Sequence, residues 1–129
     1  MQWPDFYPEN CPPEEAEPAS GTVYRLVRHD PPQAEDFRTF FQENPNFFEG
    51  KPTDLICKGH GVSVYTDPED IKQLKERSKK FKNRHIAKGE LNSTLGVIQN
   101  TPSRQLKSHH TWWLPIGMEP WLVFKIINK

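Results

Sequence analysis

The segment from Ser103 to Trp113 holds the densest group of side chains in this chain that could do chemistry. It combines an arginine, two adjacent histidines, hydroxyl groups and a tryptophan pair. An imidazole changes its charge near neutral pH and can act as a general acid or base. Hydroxyl and guanidinium groups can hold an anion. We therefore take the following as candidate site residues: His110 and His109 for proton transfer, and Ser103, Arg104 and Trp112 for ligand binding.

The two histidines are adjacent on a predicted strand, so their side chains must point to opposite faces of a sheet. We expect His110 to face the ligand, because Trp112 would share its face and could stack on the same ligand. In the alternative, His109 and Thr111 are exposed sheet residues while His110 and Trp112 pack in the interior. Adjacent histidines do not suit one metal ion and neither cysteine lies in a CxxC pair, so no metal site is predicted.

Two other segments contain candidate residues. The first predicted strand contributes Arg25 as a catalytic or phosphate-binding residue, with a solvated or salt-bridged sheet arginine as the alternative. The segment 58–66 has glycines on both sides of His60 and leads from a strand into a helix N-terminus, a junction that can bind an anion. Ser63 and Tyr65 share one face of that strand. A glycine-rich turn with a purely geometric role is the alternative for this segment.

Hydrophobic periodicity predicts the elements that position these residues. Strands are expected at 22–28, 61–66, 85–91, 96–99, 109–114 and 121–127, and helices at 33–43 and 67–82, with a long loop over 44–59. The strand 121–127 is apolar on both faces, which predicts a place at the centre of the sheet. The order of elements predicts one α+β domain over residues 21–129, with two helices packed on a mostly antiparallel, twisted sheet of about five to six strands.

Residues 1–20, here called the arm, are rich in proline and acidic side chains, which predicts an irregular extended segment. The arm also contains aromatic residues separated by prolines, namely Trp3, Phe6 and Tyr7. This pattern resembles an extended segment that docks on a protein partner. The arm has no apolar run suited to a signal peptide or membrane span, so a cytoplasmic location is expected. In that reducing environment Cys11 and Cys57 are predicted to be two unrelated thiols, with a disulfide as the alternative if the arm folds back onto the body.

The charge balance argues against a dedicated nucleic-acid or membrane surface. Lys and Arg number 17, Asp and Glu number 17, and the formal net charge is +0. A basic run at 77–85 is interpreted as a solvated helix face. The leading hypothesis is a small cytosolic protein whose polar cleft binds a nucleotide or another phosphorylated ligand, with catalysis left open. The alternative is a non-catalytic protein-interaction or accessory module.

One resemblance follows from Val23-Tyr24-Arg25 on a first strand, Gly61-Val62-Ser63-Val64-Tyr65 on a second, a helix directly after it and a closing set of strands. In these features the chain resembles small bacterial ADP-ribosyltransferase-like folds, which include RES-type toxins and RNA 2′-phosphotransferases. It is also similar to a small uncharacterised bacterial family.

The resemblance implies a cleft for NAD, with Arg25 on the first strand and Ser63 or Tyr65 on the second. The glutamate that these families place on a late strand has no counterpart here, because that strand reads Ser108-His109-His110-Thr111. The difference favours a phosphotransferase-like or binding-only role over ordinary ADP-ribosyl transfer.

Overall fold

A computed structural model describes residues 1–128 of the chain. Within that range the chain forms seven strands and three α-helices. The strands are β1 (Glu17–Pro18), β2 (Gly21–Val27), β3 (Val62–Tyr65), β4 (His85–Leu91), β5 (Val97–Asn100), β6 (His109–Trp113) and β7 (Phe124–Ile126). The helices are α1 (Phe40–Glu43), α2 (Thr53–Gly59) and α3 (Pro68–Arg77), and 3-10 turns span Ala34–Phe37, Pro45–Phe48, Ser93–Leu95 and Pro120–Leu122.

The seven strands form one sheet in the order β1-β5-β6-β3-β2-β4-β7, and every neighbouring pair is antiparallel. The predicted α+β class with an antiparallel sheet is therefore confirmed. The strand missing from the prediction is β1, which pairs Glu17 with Ile98 and Pro18 with Val97. A proline is tolerated there because the strand lies at the edge of the sheet, where its missing N–H breaks no ladder.

The register of the central strands divides the sheet into two faces. Strand β3 pairs with β6 so that Ser63 lies opposite Thr111 and Tyr65 opposite His109. Residues directly opposite each other share a face, so these four side chains define what we call the cleft face. The other face, here the core face, holds the alternate residues of the same strands, including Trp112.

The hydrophobic core lies on the core face. Its fully buried side chains are Val23, Val27, Val62, Val64, Ala87 and Trp112. Phe124 packs its ring 5.1 Å from the Phe37 ring and 6.0 Å from the Trp112 ring, measured between centroids. Gly89 lies beneath it, where an added Cβ would come within 2.8 Å of the Phe124 ring. Burying each large apolar side chain contributes about 1.5 to 3 kcal/mol, so this face anchors the strands that hold the cleft residues.

The helix predicted over 33–43 is interrupted. A 3-10 turn ends at Phe37, Arg38 adopts an extended backbone, and α1 begins after Thr39, whose hydroxyl accepts from the Gln42 N–H. The cap provides a new helix start, so the periodic phenylalanines fall on two short elements. The predicted loop over 44–59 is also wrong in part, because it contains α2.

The last strand, β7, lies at the edge of the sheet and not at its centre as the apolar pattern predicts. Residues 120–122 form a 3-10 turn, so only Phe124–Ile126 remain to pair with β4. Of the apolar residues before β7, Trp121 and Val123 pack against the core instead of entering the sheet, whereas Leu122 is exposed. Helix α3 ends at Arg77, since Ser78 adopts an extended backbone, which shortens the predicted helix by about one turn.

The arm is fastened to the rest of the chain. A disulfide joins Cys11 to Cys57 across 46 residues, which corrects the expectation of two unrelated thiols. Near the N-terminus, Ile116 N–H donates to the Gln2 carbonyl at 3.0 Å. At the other end of the arm β1 pairs with β5. Proline spacing indicates an irregular segment correctly, but it contains no information on where that segment packs.

None of the helices in residues 1–128 is long and apolar enough to cross a membrane.

Candidate functional site

A cleft of about 1140 Å³ opens between the arm, α2 and the cleft face of the sheet. Its floor includes Ser63, His109 and Thr111, and the end of β5 contributes Gln99, Asn100 and Thr101. The arm supplies one wall through residues between Glu9 and Glu15, and the rings of Phe40, Phe47 and Phe48 line another part.

The centre of the cleft is a hydrogen-bonded pair formed by Ser63 and His109. The His109 Nε2 lies 3.0 Å from the Ser63 hydroxyl oxygen. Its Nδ1 lies 2.8 Å from the backbone carbonyl oxygen of Thr101. A carbonyl can only accept, so the proton is assigned to Nδ1, and Nε2 is left to accept the Ser63 O–H. A nucleophile, a base and a group that orients the base are therefore linked by successive hydrogen bonds. This is the arrangement used in serine-based nucleophilic catalysis.

The protonation state of His109 suits this role. Burial lowers the pKa of His109 below its ordinary value, the hydrogen bond to Thr101 opposes that shift, and the neighbouring His110 adds to it. The imidazole is therefore neutral at neutral pH, which is the form able to take a proton from Ser63. Tyr65 packs edge-on against the His109 ring at 5.2 Å between centroids and restricts its tilt.

Two threonines on the cleft face support the pair. Thr101 Oγ1 lies 2.9 Å from His109 Nδ1 and 2.8 Å from Thr111 Oγ1. Thr111 is buried, and its methyl group occupies the space where a Cβ on Gly61 would stand, at 2.2 Å. Glycine at that position therefore allows β3 to approach β6 closely. Neither threonine was predicted as a site residue; Thr111 could have been found because it lies two positions from His109 and so shares its face, whereas Thr101 is eight residues from His109 and carries no such signal.

Arg25 does not line the cleft. It contacts Ser63 only through a hydrogen bond to the Ser63 backbone carbonyl. Its three guanidinium nitrogens donate to the carbonyl oxygens of Ser63 at 2.6 Å, Asp36 at 2.8 Å and Arg38 at 3.3 Å. Burial lowers the pKa of Arg25 to about 10, against the opposing charge of Asp36. Strand β2 pairs with β3 only at Tyr24, so the guanidinium fills the place where the two strands diverge. The expected phosphate contact is corrected, since these donors are already used.

His110 and Trp112 lie on the core face, away from the cleft. Trp112 is 0% exposed, and its indole N–H donates to the Leu95 carbonyl at 2.8 Å. His110 Nδ1 donates to the Ser108 carbonyl at 2.7 Å. The expectation that His110 faces the ligand and that Trp112 stacks on it is therefore wrong. The histidine that lines the cleft is His109.

The remaining candidates lie elsewhere. His60 stacks on Phe41 with 4.1 Å between centroids, and burial lowers its pKa. It lines a separate groove of about 550 Å³ beside Phe6 and Tyr7. Ser103 closes a turn by accepting from the Leu106 N–H at 3.1 Å, and Arg104 is exposed outside the cleft. The structure thus brings together Ser63, Tyr65 and His109, and it separates the other predicted site residues from them.

The charged side chains that line the cleft are mostly acidic. The carboxylates belong to Glu9, Glu14, Glu15 and Asp54, and Lys58 is the only lysine or arginine in the lining. All five are exposed, so solvent screens their charges. A multiply charged phosphate ligand gains little from this lining, in contrast to the arginine contacts expected from the sequence.

Comparison with family models, with curated proteins and with solved structures finds no match to this chain. Among residues 1–128, no cluster of three or more histidine, cysteine, aspartate or glutamate side chains is arranged to hold a metal ion.

Proposed function

We propose that this protein is an enzyme of the hydrolase or acyl-transferase type, in which Ser63 is the nucleophile and His109 is the general base. The observation that supports the proposal is the chain of contacts from Ser63 Oγ to His109 Nε2 and from His109 Nδ1 to the Thr101 carbonyl. A structural serine needs no histidine whose tautomer is fixed in this way. The pair also lies in the floor of a cleft large enough for a small molecule.

In the proposed reaction Ser63 Oγ attacks the carbonyl carbon of an ester bound in the cleft, and its proton passes to His109 Nε2. The leaving group departs with that proton, which leaves an acyl group on Ser63. Water then attacks the acyl group with His109 again acting as base, and the proton returns to Ser63 as the acid is released. The Thr101 carbonyl stabilises the imidazolium that forms in each half of the reaction.

The ligand class follows from the lining. Carboxylates outnumber cations, which favours a neutral or weakly charged polar substrate over a polyphosphate. The Phe40 and Phe47 rings are about half exposed in the cleft and offer an apolar surface to part of that substrate.

Reaction with an alkyl fluorophosphonate tests the proposal, because an activated serine attacks the phosphorus, displaces fluoride and is left as a phosphonate ester. We expect mass spectrometry to locate the label on Ser63 in the native chain and in His110→Ala. His109→Ala should be labelled more slowly by roughly 10²- to 10⁴-fold. If the folded native chain and His109→Ala react at equal rates, Ser63 is not activated and the proposal fails.

A nucleotide ligand of the ADP-ribosyltransferase-like kind is the second candidate. It is favoured by one observation, the hydrogen bond between Arg25 on β2 and the Ser63 carbonyl on β3, the two residues that the sequence resemblance pairs. Calorimetric titration with NAD, ADP-ribose and ATP tests it, with binding lost in Ser63→Ala as the expected result. If no nucleotide binds and the serine probe does not react, the hypothesis of a protein-interaction module takes precedence. Its main support is Phe6 in the arm, which is 64% exposed.

A further inference from the structure

The disulfide Cys11–Cys57 joins two parts of the cleft. Cys57 belongs to α2 and itself lines the cleft, as do its neighbours Lys58 and Gly59. On the arm side, the residues before and after Cys11, namely Asn10, Pro12 and Pro13, line the opposite side of the opening. The bond therefore sets the distance between α2 and residues 8–16, here called the wall segment.

The wall segment is held at its two ends by contacts that do not involve sulfur. Before it, the Tyr7 hydroxyl donates to the Leu114 carbonyl at 3.5 Å. After it, Glu17 and Pro18 pair with β5, and the buried Ala19 donates its N–H to the Gly96 carbonyl at 2.9 Å. A hydrogen bond from Ala16 N–H to the Pro13 carbonyl stays within the segment. Loss of the disulfide thus frees the wall segment while leaving the two ends of the arm attached.

Ser63 and His109, unlike the wall segment, are held in place by the central strands of the sheet. Ser63 and His109 lie on β3 and β6, which are paired along their length and lie between β5 and β2. Neither strand needs the arm for its hydrogen-bond ladder. A change in the wall segment therefore alters the shape of the cleft without altering the distance between the serine and the histidine.

We propose that the Cys11–Cys57 disulfide is a redox latch on this cleft: the oxidised form holds the wall segment in place for ligand binding, and reduction loosens it. This inference concerns regulation of the same site and, for its effect on catalysis, rests on the proposed function. The latch itself is a property of the wall segment and can be measured without any reaction.

The reducing partner is a dithiol. One of its thiolates attacks Cys11 Sγ, because Cys57 is 3% exposed and Cys11 is only partly buried. The bond between the two sulfurs breaks, and Cys57 leaves as a thiolate that takes up a proton. The second thiol of the reductant then displaces Cys11, which yields two protein thiols and one oxidised dithiol. Two electrons pass from the reductant to the protein.

The first measurement is the rate at which a glutamyl endopeptidase cuts the native full-length chain after Glu14 and Glu15, with and without dithiothreitol. We expect cutting to be on the order of tenfold faster in the reduced protein, because the freed segment opens more often. The variant Cys11→Ser should be cut at the fast rate in both conditions, which shows that dithiothreitol acts through this bond. Thermal unfolding in each condition confirms that the protein being cut is folded. Equal rates for the folded oxidised and reduced chains overturn the latch.

The second measurement compares hydrolysis of p-nitrophenyl acetate and p-nitrophenyl decanoate by the two forms. The long acyl chain needs the space of the cleft that α2 and the wall segment enclose together, whereas the acetate reaches little beyond the pair. Reduction should raise KM for the decanoate roughly tenfold at unchanged kcat, and leave the acetate parameters unaltered. Faster proteolysis with unchanged decanoate kinetics rejects regulation of the site. Faster proteolysis with no hydrolysis and no serine labelling in either form supports the latch and rejects the proposed function instead.

Discussion

The two sides of strand β6 do different work. On the cleft face, His109 contacts a hydroxyl, a carbonyl and a tyrosine ring, and Thr111 bonds to a second threonine. On the core face, Trp112 is fully buried beside Phe124 and its single N–H is satisfied by a backbone carbonyl. The polar network on the cleft face ends at Trp113, which lies on the same side but is buried and donates its indole N–H to the Cys57 carbonyl at 2.9 Å, whereas the core face is packed hydrocarbon.

The difference shows how one short strand can carry buried core residues and the residues of the proposed site together. Side chains alternate, so every residue that fixes the strand in the core sits next to one that faces the cleft. The tightly packed core face keeps the polar face from moving, which suits a site whose hydrogen bonds must stay in place. Substitutions of His109 and Trp112 should therefore be seen in separate measurements, activity for the first and stability for the second.

The largest expected effect separates the adjacent histidines. His109→Ala removes the base that contacts Ser63, so kcat/KM for ester hydrolysis should fall by roughly 10²- to 10⁴-fold. His110→Ala removes an imidazole on the other face and should leave kcat/KM within about twofold of the native value. Steady-state kinetics on both variants, with circular dichroism as a check of folding, measures the contrast. Equal and small effects in the two folded variants would show that β6 acts only as a strand.

A second substitution affects the core face. Trp112→Ala leaves a large cavity beside Phe124 and removes the donor to the Leu95 carbonyl, so it should lower the free energy of unfolding by about 3 to 5 kcal/mol. Trp112→Phe keeps most of the volume and should cost less. Urea denaturation measures both. A loss below about 1 kcal/mol for the alanine variant would contradict the packing described for this face.

The pH dependence comes next in size. Burial lowers the pKa of both His109 and His60 below the ordinary value of 6.5 that applies in the unfolded chain. Below pH 6.5 the unfolded state therefore binds more protons than the folded state, so stability is lost as the pH falls from that value towards the lower folded pKa values. Melting temperature should drop as the pH falls below 6.5, and the drop should be smaller in His109→Asn and in His60→Asn. Unchanged pH dependence in both variants would assign the effect to other groups.

The smallest expected effect tests the threonine contact behind the histidine. Thr111→Val keeps the shape of the side chain and removes the hydroxyl that meets Thr101, at a cost of about 1 kcal/mol in stability. We expect kcat to fall only a few fold, since the Thr101 carbonyl still orients His109. Thr111→Ser, which keeps the hydroxyl, is the matched control and should retain the native kcat. A larger loss of kcat in the serine variant than in the valine variant would show that the methyl group, and not the hydroxyl, matters.

Strands with regular alternation could be predicted from the sequence. Strand β4 has the bounds that the pattern indicated, and β2, β3 and β6 differ by a residue or so at their ends. The failures occurred where a local feature interrupts the pattern. Thr39 starts a new helix in the middle of an apparent one, and the apolar run before β7 turns away from the sheet. Such interruptions depend on capping and tertiary packing, which periodicity does not record.

The sequence could locate the candidate site on strand β6, but it could not show which face of the sheet lines the cleft. Adjacency establishes that His109 and His110 diverge, but which of them meets the cleft depends on where the core lies. Both tryptophans that follow them are fully buried, so neither marks the open side. The group that orients His109 is the backbone carbonyl of Thr101, and a backbone group leaves no trace in the residue types.

The two ends of the sheet influence how the protein behaves at high concentration. One edge is the two-residue strand β1, whose Pro18 has no N–H to offer, and the other is the three-residue strand β7, with the exposed Lys125 in its middle. Short edges with a proline or a lysine give a second chain few groups on which to extend the sheet. Although the sheet has seven strands, we expect the folded protein to resist strand-by-strand growth into fibrils.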